Sequence, residues 1–231
     1  MSLRVDQLWR YPVKTLAGER LEAAQLTAAG IPGDRIVHVR GPEGVRTSRR
    51  HHRLLGLHGS LGPDGRLLID GRPWDHPASL EAVRRAAGDD AWLAEYDGLE
   101  RFDILPLLVA TDGAIAAFGR DARRLRPNIV VAGVDGLEET TWPGAELHVG
   151  EAVIALDSLR SRCPMTTVDP DTLERDPAVL RDIARRFHGR LALNAAVLRP
   201  GMVRIGDPVR LERPGVDPAG AELESALDPL P

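Results

Sequence analysis

Short stretches in which apolar residues alternate with polar ones or run together, each closed by glycine or proline, recur along most of this chain. Such runs predict half-buried β-strands. They place strands over residues 3–9, 21–27, 36–39, 54–61, 66–69, 93–96, 107–110, 129–131, 147–149, 152–159, 191–198, 202–205 and 208–211. Tyr11-Pro12 closes the first strand and leaves Lys14-Thr15 at the tip of a loop before Gly18. Gly62-Pro63-Asp64-Gly65 is a hairpin turn between 54–61 and 66–69, Gly150 separates 147–149 from 152–159, and Gly206-Asp207 joins the closing pair.

Helical spacing is confined to three places. Leu80, Val83, Ala86 and Ala87 share a face over 78–87, with Gly88 as a stop. Val179, Leu180, Ile183, Ala184 and Phe187 do the same over 177–187, with Pro177 suited to the first turn and His188-Gly189 at the end. Thr111-Asp112-Gly113 follows the strand 107–110 and opens a short helix over 114–118. Free N–H groups at such a start can hold a phosphate with the Thr111 hydroxyl assisting, and ordinary capping is the other use. About a dozen short strands punctuated by glycine and proline argue for a mainly β protein with added helices (α+β), built as barrels or sandwiches. Asp97-Gly98 marks a seam near residue 100, giving units over 1–100 and 101–212. Residues 213–231 form a tail rich in proline, glycine and acids, for which no structure is expected.

Composition narrows the function. With 231 residues, 43% of them hydrophobic, the chain can fill the core of one large or two small domains. A formal net charge of −4, with arginines scattered among acids, creates no basic field, so no nucleic-acid partner is expected. The opening MSLRVDQLWRYPVK lacks an apolar signal core, and no run of about 18 apolar residues occurs, so neither a secretory signal nor a membrane span is expected. A single cysteine fits a reducing, cytoplasmic setting.

Two residue types occur once each. Among 30 basic residues, Lys14 alone is lysine. An ammonium offers a compact point charge for a phosphate, or for a Schiff base with pyridoxal phosphate, where arginine offers a planar fork. Cys163 is the one cysteine. A lone cysteine is ordinarily a small buried hydrophobe, but Arg160 and Arg162 flank this one. A neighbouring guanidinium favours the thiolate, the form that attacks electrophiles or binds soft metals. Pro164 ends the strand that leads in, which puts Cys163 at a strand-to-loop junction. Arg35 stands at the entrance of 36–39. Pro127 disfavours a helical Arg126 and helps present Arg126 and Asn128 at the mouth of 129–131. The segment from Arg46 to Arg53 is basic enough to attract an anion, or is a solvated edge, and the seven histidines show no metal-ligand spacing.

Five separated motifs, YPVKT (11–15), GDR (33–35), RPNIVVAG (126–133), SRCPMTTVDPDT (161–172) and GDPVRL (206–211), together resemble the MOSC-domain family, and within it the amidoxime-reducing components. The resemblance spans nearly all of residues 1–212. It implies an N-terminal β-barrel domain, a MOSC β-barrel domain, and molybdenum cofactor in the cleft between them. Carried across motif by motif, it implies that Lys14, Thr15, Arg35, Arg126, Asn128, Ser161 and Arg162 hold the pterin and its phosphate. Cys163 falls where a thiolate ligates molybdenum, and Thr111 falls at a phosphate-binding helix start. The implied activity is removal of oxygen from small, N-hydroxylated substrates, with electrons from a separate donor protein because one cysteine cannot hold an iron-sulfur cluster. A carrier of the cofactor or of sulfur, without turnover of its own, is the alternative. Thr15 departs from the family's serine but keeps the hydroxyl, and HGRLALNAAV (188–197) departs further.

Overall fold

The computed structural model describes residues 2–95, 98 and 101–213. The first half holds β1 (Arg4–Arg10), β2 (Val13–Lys14), β3 (Glu19–Leu21), β4 (Ala23–Leu26), β5 (Val37–Gly41), β6 (Gly44–Val45), β7 (Gly59–Leu61), β8 (Leu67–Ile69), β9 (Arg72–Pro73), α1 (Pro77–Ala87) and β10 (Trp92–Glu95). The second holds β11 (Leu107–Thr111), α2 (Asp112–Phe118), β12 (Ile129–Ala132), β13 (Glu146–Val149), β14 (Ala152–Ser161), α3 (Pro177–Phe187), β15 (Arg190–Arg199), β16 (Gly201–Arg204) and β17 (Val209–Glu212). The α+β class expected from the pattern is the class observed.

Eight strands form one sheet in the order β17-β13-β14-β15-β11-β12-β1-β3. Two of them, β1 and β3, come from the first half, so the sheet crosses the seam expected near residue 100. Its core is built from Leu8, Leu26, Trp142, Leu147, Ile154 and Leu193, all fully enclosed. A second core gathers Val13, Leu16, Val37, Val39, Leu54, Ile69 and Val83 between the small sheets of the first half and α1. The helices start where side chains can take their free N–H groups. Asp176 accepts from Ala178 N at 2.9 Å ahead of α3, and His76 accepts from Ala78 N at 3.1 Å ahead of α1. Proline occupies the first position of both. His188 ends α3 in the left-handed region, φ 51°.

Several expectations change in three dimensions. The run 54–61 is not one strand: His52–Gly56 is a 3-10 turn that buries Leu54, and the ladder of β7 with β8 begins at Gly59. The run 21–27 breaks at Glu22, because β3 pairs with β1 while β4 leaves to pair with β16. For the same reason 202–205 and 208–211 do not form a hairpin: β16 goes to β4 and β17 to β13. Lys14 lies on a strand, not at a loop tip, since β2 pairs in parallel with β5. The sheets do not close into barrels. The outer strands of the large sheet, β17 and β3, do not pair, and the start of β1 meets the end segment through the bridge Arg4 to Pro208 and three backbone hydrogen bonds, Val5 N to Asp207 O at 2.9 Å, Gly206 N to Val5 O at 2.8 Å and Val209 N to Leu3 O at 2.9 Å. Tyr96, the last residue of the expected strand 93–96, and residues 214–231 of the tail lie outside the described residues.

Candidate functional site

A cleft of about 500 Å³ opens between residues of both halves. Lys14, Thr15 and Arg35 line it from the first half, and Arg126, Asn128, Ser161, Arg162 and Cys163 from the second. Among the described residues eight cations line it, namely these four with Arg40, Arg49, Arg124 and Arg160, against two carboxylates, Glu43 and Asp103. A chain with a net charge of −4 has concentrated positive charge in one concavity, which is the electrostatic form of an anion site.

Local backbone geometry aims these side chains. Thr15 (φ 91°), Arg35 (φ 53°) and Arg126 (φ 57°) all sit in the left-handed region, where a residue with a Cβ costs roughly 1–2 kcal/mol. Pro127 accounts for Arg126 leaving the right-handed helical region, but its positive φ is set by neighbouring hydrogen bonds. Arg126 N donates to Arg123 O at 3.2 Å, and Asn128 N donates to Leu108 O at 2.8 Å. Arg35 N is held by Tyr11 O at 2.7 Å.

Tyr11 is the hub between the two halves. Its N–H donates to Asp34 Oδ1 at 2.7 Å and its hydroxyl donates to Pro127 O at 3.0 Å. Its ring faces the guanidinium of Arg126 at 4.2 Å and that of Arg35 at 5.2 Å. Burial pushes the Tyr11 phenol well above its ordinary value despite the nearby Arg126 and Arg35, so it remains a neutral donor. Asp34, fully enclosed, pairs with Arg35.

The remaining side chains divide by what they already hold. Asn128 accepts from Leu108 N at 3.1 Å and donates to Trp9 O at 3.2 Å, so both ends of its amide tie the strands around the cleft. Arg126 Nη1 donates to Leu16 O at 2.7 Å, and Arg162 Nη2 to Leu125 O at 2.7 Å. Arg126 Nη2 and Arg162 Nε are buried donors with no hydrogen-bond partner among the described residues. Burial lowers both guanidiniums to about 10, which leaves them charged at neutral pH. Cys163 is half-buried at the end of the segment leading from β14, and its carbonyl accepts from Thr166 N at 3.1 Å and Thr166 Oγ1 at 2.9 Å as the 3-10 turn Pro164–Thr167 begins.

The MOSC N-terminal beta barrel domain matches residues 2–110, and the MOSC domain matches residues 112–210. The chain belongs to the MOSC-domain family. This MOSC protein is 26% identical to mitochondrial amidoxime-reducing component 1 of Homo sapiens, with 90% of this chain and 82% of that protein aligned. It is likewise 26% identical to mitochondrial amidoxime reducing component 2 of Macaca fascicularis, over 89% of this chain and 82% of that one. A molybdenum cofactor sulfurase of Anopheles gambiae is 29% identical over 75% of this chain, which spans 19% of that protein. The crystal structure of YuaD from Bacillus subtilis shares the fold, with a TM-score of 0.53 and 14% identity over 93% of this chain and 97% of that one.

One expected residue of this MOSC protein is not brought to the cleft. Thr111 is fully enclosed, caps the short α2 by accepting from Ala114 N at 3.2 Å, and donates its hydroxyl to Glu139 Oε2 at 2.8 Å. Burial raises the Glu139 carboxyl above its ordinary value, against the hydrogen bonds it takes from Thr111 and Ala192. Of the basic segment 46–53, only Thr47 and Arg49 reach the cleft. Arg46 turns away to Asp90 at 2.7 Å and to Ala87 O at 2.6 Å.

Asp103 is the functional candidate that sequence reasoning missed. Its carboxylate lies 3.3 Å from Lys14 Nζ, 2.8 Å from Arg160 Nη2 and 3.9 Å from Arg49 Nη2. Burial alone would raise its carboxyl, but Lys14 and Arg160 outweigh burial and hold it below the ordinary carboxylate value. Nothing in spacing marks this acid, because its partners stand 54 to 89 residues away. Tyr11 was visible inside YPVKT only as a strand terminator. No helix among the described residues is long and apolar enough to cross a membrane.

Proposed function

We propose that the cleft holds molybdenum cofactor and that the protein uses it to reduce small N-hydroxylated compounds, taking electrons from a separate donor protein. One observation carries the reading: two buried guanidinium donors without partners, Arg126 Nη2 and Arg162 Nε, stand in a cationic cleft that also contains the lone thiol. Buried unpartnered donors are costly, so an acceptor-rich anion is the group such a cleft is built to receive. A pterin phosphate is such an anion, and a soft metal is what a thiolate prefers. The residues present therefore fit the cofactor.

Lys14, Arg35, Arg126 and Arg162 would neutralise the pterin phosphate, with the Thr15 and Ser161 hydroxyls alongside, and Cys163 would ligate the metal. Asn128, its amide already engaged, positions the strands and does not itself reach for the ligand. Tyr11 holds Arg35 and Arg126 in place before the ligand arrives, which lowers the ordering cost of binding. When bound, the cofactor supplies a metal centre that exchanges two electrons and accepts an oxygen atom. In the overall reaction the N–O bond breaks and the oxygen leaves as water, consuming two electrons and two protons. The names of the amidoxime-reducing relatives support this substrate class.

The sulfurase relative favours one other reading, a protein that carries the cofactor or sulfur without turnover. Both use the same cleft. Metal and pterin analysis of protein made in a cofactor-competent host tests what they share, and a folded sample containing neither refutes both. Loaded protein with a chemical reductant then separates them, since catalytic reduction of an N-hydroxylated substrate excludes the carrier.

A further inference from the structure

A second set of ligand-type side chains lies on the large sheet, and none of them lines the cleft. Glu146 and His148 are two residues apart on β13 and share a face, while Leu147 and Val149 point into the core. Antiparallel β17 places Glu212 directly opposite Glu146 and Arg210 opposite His148. Like charges facing each other across a strand pair destabilise it, a repulsion that the contact of Arg210 with Glu212 offsets in part. On the other side β14 offers only Ala155 and Val153 at the matching positions, which add no charge.

His148 supplies the independent observation. Its Nε2 lies 2.7 Å from Glu212 Oε2 and 3.3 Å from Glu146 Oε2. Yet it is closed to solvent and aligned for a hydrogen bond with neither, nor with any other described residue. An imidazole nitrogen at ion-pair distance from two carboxylate oxygens, closed to solvent and yet aligned to donate to neither, has the placement of a ligand. Arg210 contacts the other oxygen of Glu212, Oε1, and so leaves Oε2 available.

We propose that Glu146, His148 and Glu212 bind one divalent ion of the zinc class, which ties the edge strand β17 to β13. One ligand atom from each residue lies within 4.8 Å of the others. Two atoms each about 2.1 Å from one ion stand at most about 4.2 Å apart, so a rotamer adjustment of a glutamate completes the set. One imidazole and two carboxylates, with a fourth position for water, suit zinc better than calcium or magnesium, which take oxygen ligands. No spacing rule connects these three, because two come from β13 and the third from a strand more than 60 residues later.

The test uses the full chain, freed of divalent ions by chelation and titrated with zinc chloride, then with cobalt(II) as a spectroscopic probe. The expected result is one equivalent bound, a higher Tm, and visible cobalt bands of a low-coordinate nitrogen and oxygen site. His148→Ala and, independently, Glu212→Gln should weaken uptake by at least the ~10–100-fold that follows even loss of a supporting contact. The site is separate from the cofactor reading and does not depend on it. Absence of uptake, unchanged affinity in both variants, or a sulfur-to-cobalt charge-transfer band that places the ion on Cys163 would each overturn the proposal.

Discussion

Replacing Arg126 with glycine should weaken cofactor retention roughly ten- to a hundredfold while leaving the fold nearly as stable as before. Burial lowers this guanidinium to about 10, well below its ordinary value, so carrying its charge costs the folded state about 3 kcal/mol at neutral pH, where both states are protonated. Its φ of 57° adds roughly 1–2 kcal/mol that glycine does not incur. Against these gains stand the charge-assisted bond to Leu16 O, about 1.5–3 kcal/mol, and the stacking on Tyr11, about 2 kcal/mol when desolvated. The extra freedom of glycine in the unfolded chain removes a further ~1 kcal/mol. Gains and losses are of similar size, and the net change should stay within about 2 kcal/mol. Binding has no such compensation. Loss of the unpartnered Nη2 and its charge should weaken cofactor retention by about 1.5–3 kcal/mol, or roughly ten- to a hundredfold. Urea denaturation of the apoprotein reads the first quantity, and pterin released per mole of purified protein reads the second. A variant that loses more than about 4 kcal/mol of stability yet retains normal pterin would show that Arg126 serves the fold and would refute the reasoning.

Three further outcomes follow. Cys163→Ser replaces a soft sulfur ligand with a hard hydroxyl, so pterin should remain while the metal loses its protein ligand and turnover collapses; full turnover would reduce Cys163 to a packing residue. Thr111→Val should cost about 2–3 kcal/mol through the lost helix cap and the missing donor to Glu139, with pterin retention unchanged, whereas lost pterin in a stable variant would bring Thr111 back as a ligand contact. His38 is fully enclosed, and burial, then the Lys14 charge, lowers it to about 4. Because the unfolded chain protonates first, its contribution is lost as pH falls from about 6.5 through 4, some 3 kcal/mol in all, and His38→Gln should lessen that acid sensitivity in denaturation curves. Parallel pH profiles for wild type and variant would contradict this.

Patterning and punctuation determined much of the local structure. Helix α3 was legible to the residue, since Pro177, the apolar face through Ile183 and the His188-Gly189 stop are all local signals. Cys163 at the end of the segment leading from β14 was equally legible, because Pro164 breaks a strand wherever it occurs. Long-range pairing was decided only by tertiary structure. Alternation states which face of a strand is apolar but not which neighbour it meets, so β16 and β17 read as a hairpin although they belong to different sheets. Closure of the sheet turns on the same point, because it depends on what the outer strands pair with. In the cleft, residue types and motifs nominated the cations, while their roles came from distance. Asn128 spends its amide on Trp9 and Leu108, Thr111 turns inward to Glu139, and Asp103 enters a cationic cluster whose members no spacing rule connects. Hydrogen bonds and charge pairs act over a few ångströms in space, and the fold alone decides which distant residues come that close.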